Sequence, residues 1–149
     1  MRNLLLIIHI LSVGVWLGAS VTQLVVGPRL TRQSSEVAAA WMTASMNLAR
    51  KLYPVAGVLV LLTGIWLVLQ SEVYGFADVF VTVGLVAVIV GGVLGGPVFA
   101  PAAEKAAKAF GAGDTAAGSA AMVRIARFGL LDVVLLVVAV AAMVMKWGV

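Results

Sequence analysis

The sequence predicts an all-α integral membrane protein, a single domain of four bundled transmembrane helices with helical extensions on the cytoplasmic side. Three observations carry this reading. Of 149 residues, 63% are hydrophobic and 11% charged, and the mean hydropathy is +1.15; a water-soluble domain of this length has too little interior to hide so much apolar surface. Four apolar runs, at about 4–26, 53–70, 78–100 and 128–147, each approach the ~20 residues that cross a bilayer. Most of the charge lies between these runs, so the formal charge of +4 suits loops on anionic headgroups and gives no support for nucleic-acid binding. Cysteine is absent, which excludes disulfides and thiolate chemistry.

The first run belongs to "LLLIIHILSVGVWLGASVTQLVVGPRL", Leu4 to Leu30. Arg2, the apolar stretch and the small residues near Ala19 have the outline of a signal peptide. The run continues to Val26, which is long for such a segment, and a span is the better reading. Gly27–Pro28 predicts a break. After it, Ser34 or Ser35 is a candidate N-cap with Glu36 in the first turn, which predicts a helical extension before the second span. The tight turn "SEVYGFA" joins spans two and three. Gly96–Pro97 predicts a second break, followed by a helix that stops at Gly111–Gly113 and a new start at Asp114 or Thr115.

The basic residues orient the bundle. Arg29, Arg32, Arg50, Lys51, Lys105, Lys108, Arg124 and Arg127 lie on the side of the two long connections, and only Arg2 and Lys146 lie opposite. The positive-inside rule then predicts outward termini and cytoplasmic long connections, in the cytoplasmic membrane of a prokaryote. The Gly-Pro pairs and the segments "LARK" and "IARF" suggest a parallel internal repeat of two halves, a pattern that membrane composition alone also produces. Gly14/Gly18, Gly91/Gly95 and Gly92/Gly96 have the four-residue spacing that lets membrane helices approach closely, so they are read as packing contacts.

The lone histidine, His9, shares a helical stripe with Ser12, Trp16, Ser20 and Gln23. A polar stripe in a membrane helix faces the bundle interior. His9 lies about 9 Å inside the outer edge, where antiparallel counting also places Trp66, Gln70, Thr82, Gly84 and Met143. Two readings stay open for it. It is a ligand to a haem iron or Cu(I), with methionine as a soft second donor, or it hydrogen-bonds Gln70, Thr82 or a backbone carbonyl. Asp132, about one turn into span four, is expected to pair with Arg124, Arg127, Arg29, Arg50 or Lys51, because intramembrane acids generally pair.

The pattern "HILSVGVWLG…GPRL", with "LARKLYPVAGVLVLLTGIWL" after it, resembles the HemJ-type membrane protoporphyrinogen oxidases and the wider CopD-like group, which includes uncharacterised members. The resemblance covers about the first 70 residues and implies a four-span architecture. It implies haem b bound by the first-helix histidine, His9, with Arg29 in the position of the family's Pro-Arg arginine. Trp16 belongs to the same motif and Met143 is a conceivable second ligand. The family's third-span lysine has no counterpart in "ADVFVTVGLVAV", so the resemblance points to a redox or metal-related role rather than to porphyrinogen oxidation. The CopD-like branch implies copper instead, for which His9, Met143 and Met145 are the candidate donors. A second class of function is a non-catalytic accessory subunit or assembly factor, as a homo-oligomer or within a larger membrane complex. A proton-coupled exporter is disfavoured, because span one carries no acid.

Overall fold

The computed structural model describes residues 1–149. The chain is four long helices: α1 (Arg2–Leu30), α2 (Ser35–Leu69), α3 (Val79–Gly111) and α4 (Thr115–Met145), each long and apolar enough to cross a membrane. The predicted all-α four-helix architecture is the one observed, and there are no strands. Successive helices are antiparallel, so Met1 and Val149 lie at one end of the bundle, the terminal end. The basic residues of the connections collar the other, the basic end.

Local chemistry sets the boundaries. Ser34, in extended conformation, caps α2 by accepting a hydrogen bond from the Val37 amide at 3.2 Å. α3 ends in a Schellman motif. Gly113 has φ +80°, the Asp114 amide bonds the Ala109 carbonyl at 2.9 Å, and the Gly113 amide bonds Phe110 at 3.0 Å. Asp114 then caps α4 through Ala117 at 2.9 Å. Asp78 does not cap α3 with its side chain; it closes the preceding turn by accepting from the Gly75 amide at 2.8 Å.

The two expected Gly-Pro breaks are absent. α1 runs through Pro28 to Leu30, and α3 runs through Pro97. α3 absorbs its proline with a π-helical turn over Leu94–Phe99, and α2 has another over Leu48–Leu52, just before Pro54. A proline ring clashes with the carbonyl four residues earlier, and local widening of the helix relieves the clash without ending it. The extensions are therefore continuous with spans two and three. The suggested repeat is not matched by the turns: one is at 31–34, right after its Gly-Pro pair, and the other at 112–114, far from its own.

The spans close into a ring in which α1 packs on α2 and α4, and α3 packs on α4 and α2. Trp16, Tyr53, Ala56, Ala100 and Leu136 form the central core. At the basic end, Ala38 and Met42 of α2 pack on Ala106 and Phe110 of α3. Phe110 fits because Gly118 of α4 has no side chain; a Cβ there would stand 2.7 Å from the ring. Only 29 of 149 residues are buried, and Leu4, Ile7, Leu11, Leu62, Ile89 and Val134 are among the large apolar side chains facing outward. That surface suits the hydrocarbon of a bilayer.

Of the glycines expected at packing contacts, only Gly91 is at one. A Cβ at Gly14, Gly18, Gly92, Gly95 or Gly96 would meet nothing within 4 Å. Gly14 and Gly18 lie away from the buried stripe of α1. The close approaches are at Gly91, where a Cβ would collide with the Trp16 ring, and at Gly84, where it would stand too close to the Met143 methyl.

Candidate ligand-binding cavity

The polar stripe of α1 faces inward as expected: His9, Ser12, Trp16 and Ser20 are buried. His9 meets neither Gln70 nor Thr82, both of which are exposed. Its partner is Thr63 of α2, with Nδ1 2.9 Å from the hydroxyl oxygen. Antiparallel counting missed this by one to two turns, because α2 sits further along the bundle axis than an even register predicts.

The Thr63 hydroxyl fixes the state of the ring. It donates its single proton to the Leu59 carbonyl at 2.5 Å, with the Val60 carbonyl at 3.3 Å. Carbonyls only accept, so the hydroxyl has no proton left for the imidazole. Nδ1 must then be the donor. In a neutral imidazole this leaves Nε2 with a free lone pair, and the side-chain hydrogen bond His9 makes is through Nδ1. Gly64, next in sequence, lets the ring settle on α2; a Cβ there would stand 3.1 Å from Cε1.

His9 lines an open cavity of about 690 Å³ at the terminal end, with walls from all four helices. Val13, Val60, Leu85 and Val140 are among its apolar walls, and Met143 lines it from α4, with its methyl seated against Gly84. Two cations, Arg2 and Lys146, lie at its terminal-end rim beside Tyr74 and Phe80. The Lys146 Nζ stands 4.7 Å from the Tyr74 ring centre and 4.5 Å from that of Phe80. Lys146 has φ 53°, a left-handed conformation uncommon for a residue with a side chain. The Trp147 carbonyl holds it there by accepting from the Phe80 amide at 3.2 Å, which docks the end of α4 on the start of α3. No family model, curated protein or solved structure matches this chain.

The other expected site residues are elsewhere. Met145 is 68% exposed and does not line the cavity. Arg29 is exposed near the far end of α1, about 30 Å along the helix from His9, so it belongs to the opposite end of the bundle. Trp16 is two turns deeper than His9, and its indole Nε1 donates to Asp132 Oδ2 at 3.2 Å. Asp132, 2% exposed, also accepts from Ser20 Oγ at 2.9 Å and makes no ion pair with any arginine or lysine. The expected salt bridge is thus replaced by neutral donors, because Asp132 points into the bundle while Arg124 and Arg127 line an outer groove with Phe128 and Leu131. Thr63, Arg2 and Lys146 went unnamed as site residues. The available signal for Thr63 was a lone hydroxyl inside "VLVLLTGIW".

The arrangement offers one unpaired imidazole nitrogen, a thioether, apolar walls and a cationic rim. The protein holds no group of three His, Cys, Asp or Glu side chains able to cage a metal. A porphyrin brings four nitrogen ligands of its own and needs only an axial donor from the protein, which His9 Nε2 fits.

Proposed function

We propose that this chain is a redox-type membrane protein holding haem b in the terminal-end cavity, with His9 Nε2 as axial ligand. The observation that supports this most is the His9–Thr63 pair, because a hydrogen-bonded Nδ1 leaves the other nitrogen oriented and free, the usual arrangement of a ligating histidine. The cavity volume of about 690 Å³ suits a cofactor. Arg2 and Lys146 at its rim suit the carboxylates of a porphyrin, and Met143 is the candidate for a second axial donor. A bound haem supplies one-electron chemistry. The chain's part is to orient the imidazole through Thr63 and to wrap the ligand in apolar side chains that exclude water. Copper fits less well, since Met145 lies outside the cavity and only His9 and Met143 remain as donors. The Lys/Arg asymmetry supports outward termini and a cytoplasmic basic end, in keeping with a prokaryotic cytoplasmic membrane.

The visible spectrum of protein purified in detergent from haem-replete cells tests the reading. A Soret band that His9→Ala abolishes, with the helical content retained, supports it. Colourless wild-type protein overturns it. A second reading, an accessory subunit of a larger complex, is favoured by the outward-facing Gly14, Gly18, Gly92 and Gly96, which pack against nothing within the chain. Colourless, copper-free protein with a stable membrane partner would support that reading.

A further inference from the structure

The buried polar groups around Asp132 lie apart from the His9 cavity and have no part in the function proposed for it. Asp132 sits in α4, about 6 Å inside the basic-end edge of its span. The two hydrogen bonds it accepts both fall on Oδ2. None of the helices packed around it brings a Lys, Arg or His within ion-pairing distance: α1 contributes Trp16 and Ser20, α2 contributes Tyr53, and α3 contributes Gly91. The polar chain continues from there. Ser20 Oγ stands 3.4 Å from the Tyr53 hydroxyl, and Gln23 Nε2 donates to that hydroxyl at 2.6 Å. Ser20 has one proton, and its shorter contact is to Asp132. The Ser20–Tyr53 contact is then made by the phenol proton, so two hydroxyls in series point at Asp132.

A second cavity, of about 30 Å³, adjoins this chain and is lined by Ser20, Gln23, Tyr53 and Ser45. Ser45 Oγ is the single buried side-chain polar atom without a hydrogen-bond partner, and Ser45 is 3% exposed. A buried hydroxyl with no partner is costly. A space of this size has room for one water, which needs two or more polar partners; Ser45, Tyr53 and Gln23 supply polar groups to its otherwise apolar lining.

We propose that Asp132 is a proton-binding site fed from the basic end through a water held by Ser45 and through the Tyr53 and Ser20 hydroxyls. The carboxylate gains a proton from Ser20, which takes one from Tyr53, which takes one from the buried water. Solvent restores that proton directly to the buried water through the open side of the cavity, beside half-buried Gln23. Each hydroxyl gives one proton and receives one, so the only net change is a proton moved from bulk water to Asp132. Trp16 stands between this site and the His9 cavity, so the inference does not rest on haem binding.

The chain contains three aspartates, of which Asp114 is exposed and Asp78 half-buried. Wild-type protein labelled with ¹³C at the aspartate carboxyls, in nanodiscs, therefore gives three resonances to follow between pH 4 and 9. The proposal expects one resonance to titrate apart from the other two, and to vanish in Asp132→Asn. A matching carboxylic C=O infrared band should exchange in D₂O at least tenfold more slowly in Tyr53→Phe and Ser45→Val. If Asp132→Asn fails to fold, Trp16→Phe assigns the resonance by shifting it alone. An Asp132 signal that does not change over this range overturns the proposal, as does exchange unaffected by both hydroxyl substitutions.

Discussion

Thr63 accepts the Nδ1 proton of His9 because its own proton is already committed to the Leu59 carbonyl of the preceding turn. One hydroxyl thereby sets both the tautomer and the orientation of the only histidine. Thr63→Val keeps the shape of the side chain and removes the acceptor. It leaves a buried N–H unpaired, at a cost of about 1–3 kcal/mol. If His9 carries an axial ligand bond, we expect haem affinity to fall about 10- to 100-fold, the usual consequence of losing a partner behind a ligating histidine. Thr63→Ser should restore most of it. Soret titration of the apoprotein, with thermal unfolding in the same detergent, separates the two effects; unchanged affinity in Thr63→Val would detach Thr63 from the site.

The glycines divide into two groups with opposite responses to a methyl. At Gly91 a Cβ would collide with Trp16, a rigid ring held by Asp132, with the Asp132 Oδ1 also only 3.1 Å away. Gly91→Ala should therefore cost about 1–3 kcal/mol. At Gly18 the same methyl meets nothing within 4 Å, and Gly18→Ala should raise stability by about 0.5–1 kcal/mol, because alanine loses less backbone entropy in a helix. Equal melting temperatures for the two variants would contradict this division.

These glycines also mark what the sequence reveals and what it hides. The spacing of Gly14 and Gly18 matches a packing motif, yet the buried face of α1 is the one with His9, Ser12, Trp16 and Ser20. The cost of burying polar groups in hydrocarbon made that face legible, and it outweighs the small-residue signal. The caps at Ser34 and Asp114 were equally legible, since each is a local bond between a side chain and an amide three residues on. The partners of His9 and Asp132 were not. They depend on the axial offset between helices, which no local pattern encodes, and a two-turn shift exchanges Gln70 for Thr63. The continuity of α2 and α3 was hidden for a related reason: proline reads as a break until the neighbouring helix shows that a π turn is held in place by packing.

Glu104 joins the two extensions at the basic end. It accepts from Lys108 at 2.8 Å and from Arg50 of α2 at 2.6 Å. The Lys108 hydrogen bond first, and then the Lys108 and Arg50 charges and the Arg50 bond, hold its carboxyl below the usual value. A depressed folded-state pKa stabilises the fold above the ordinary glutamate value, and this contribution disappears as pH falls through the folded-state value. We expect Glu104→Gln to abolish a small loss of stability on acidification below about pH 4.5. The pair is exposed, so the effect should shrink in high salt. Melting curves of both proteins at pH 3.5 and 7, each with and without 1 M NaCl, measure it; parallel pH dependence would remove Glu104 as its source.

Both termini lie at one end of the bundle, and the basic residues of both long connections lie at the other. The direction of insertion is then set by which end stays in the cytoplasm. Eight of the ten Lys and Arg residues belong to the connections, and positive charge near the ends of spans is retained on the cytoplasmic side. The chain has no cysteine, so a single introduced thiol reports one position. Ser119, in the exposed first turns of α4, marks the basic end, and Val149, 69% exposed, marks the terminal end. With an impermeant maleimide on intact cells, we expect labelling of Val149→Cys and none of Ser119→Cys until the cells are broken open. The opposite pattern would place the His9 cavity and its cationic rim on the cytoplasmic side and the Asp132 chain nearer the outside, reversing the direction from which each site meets water.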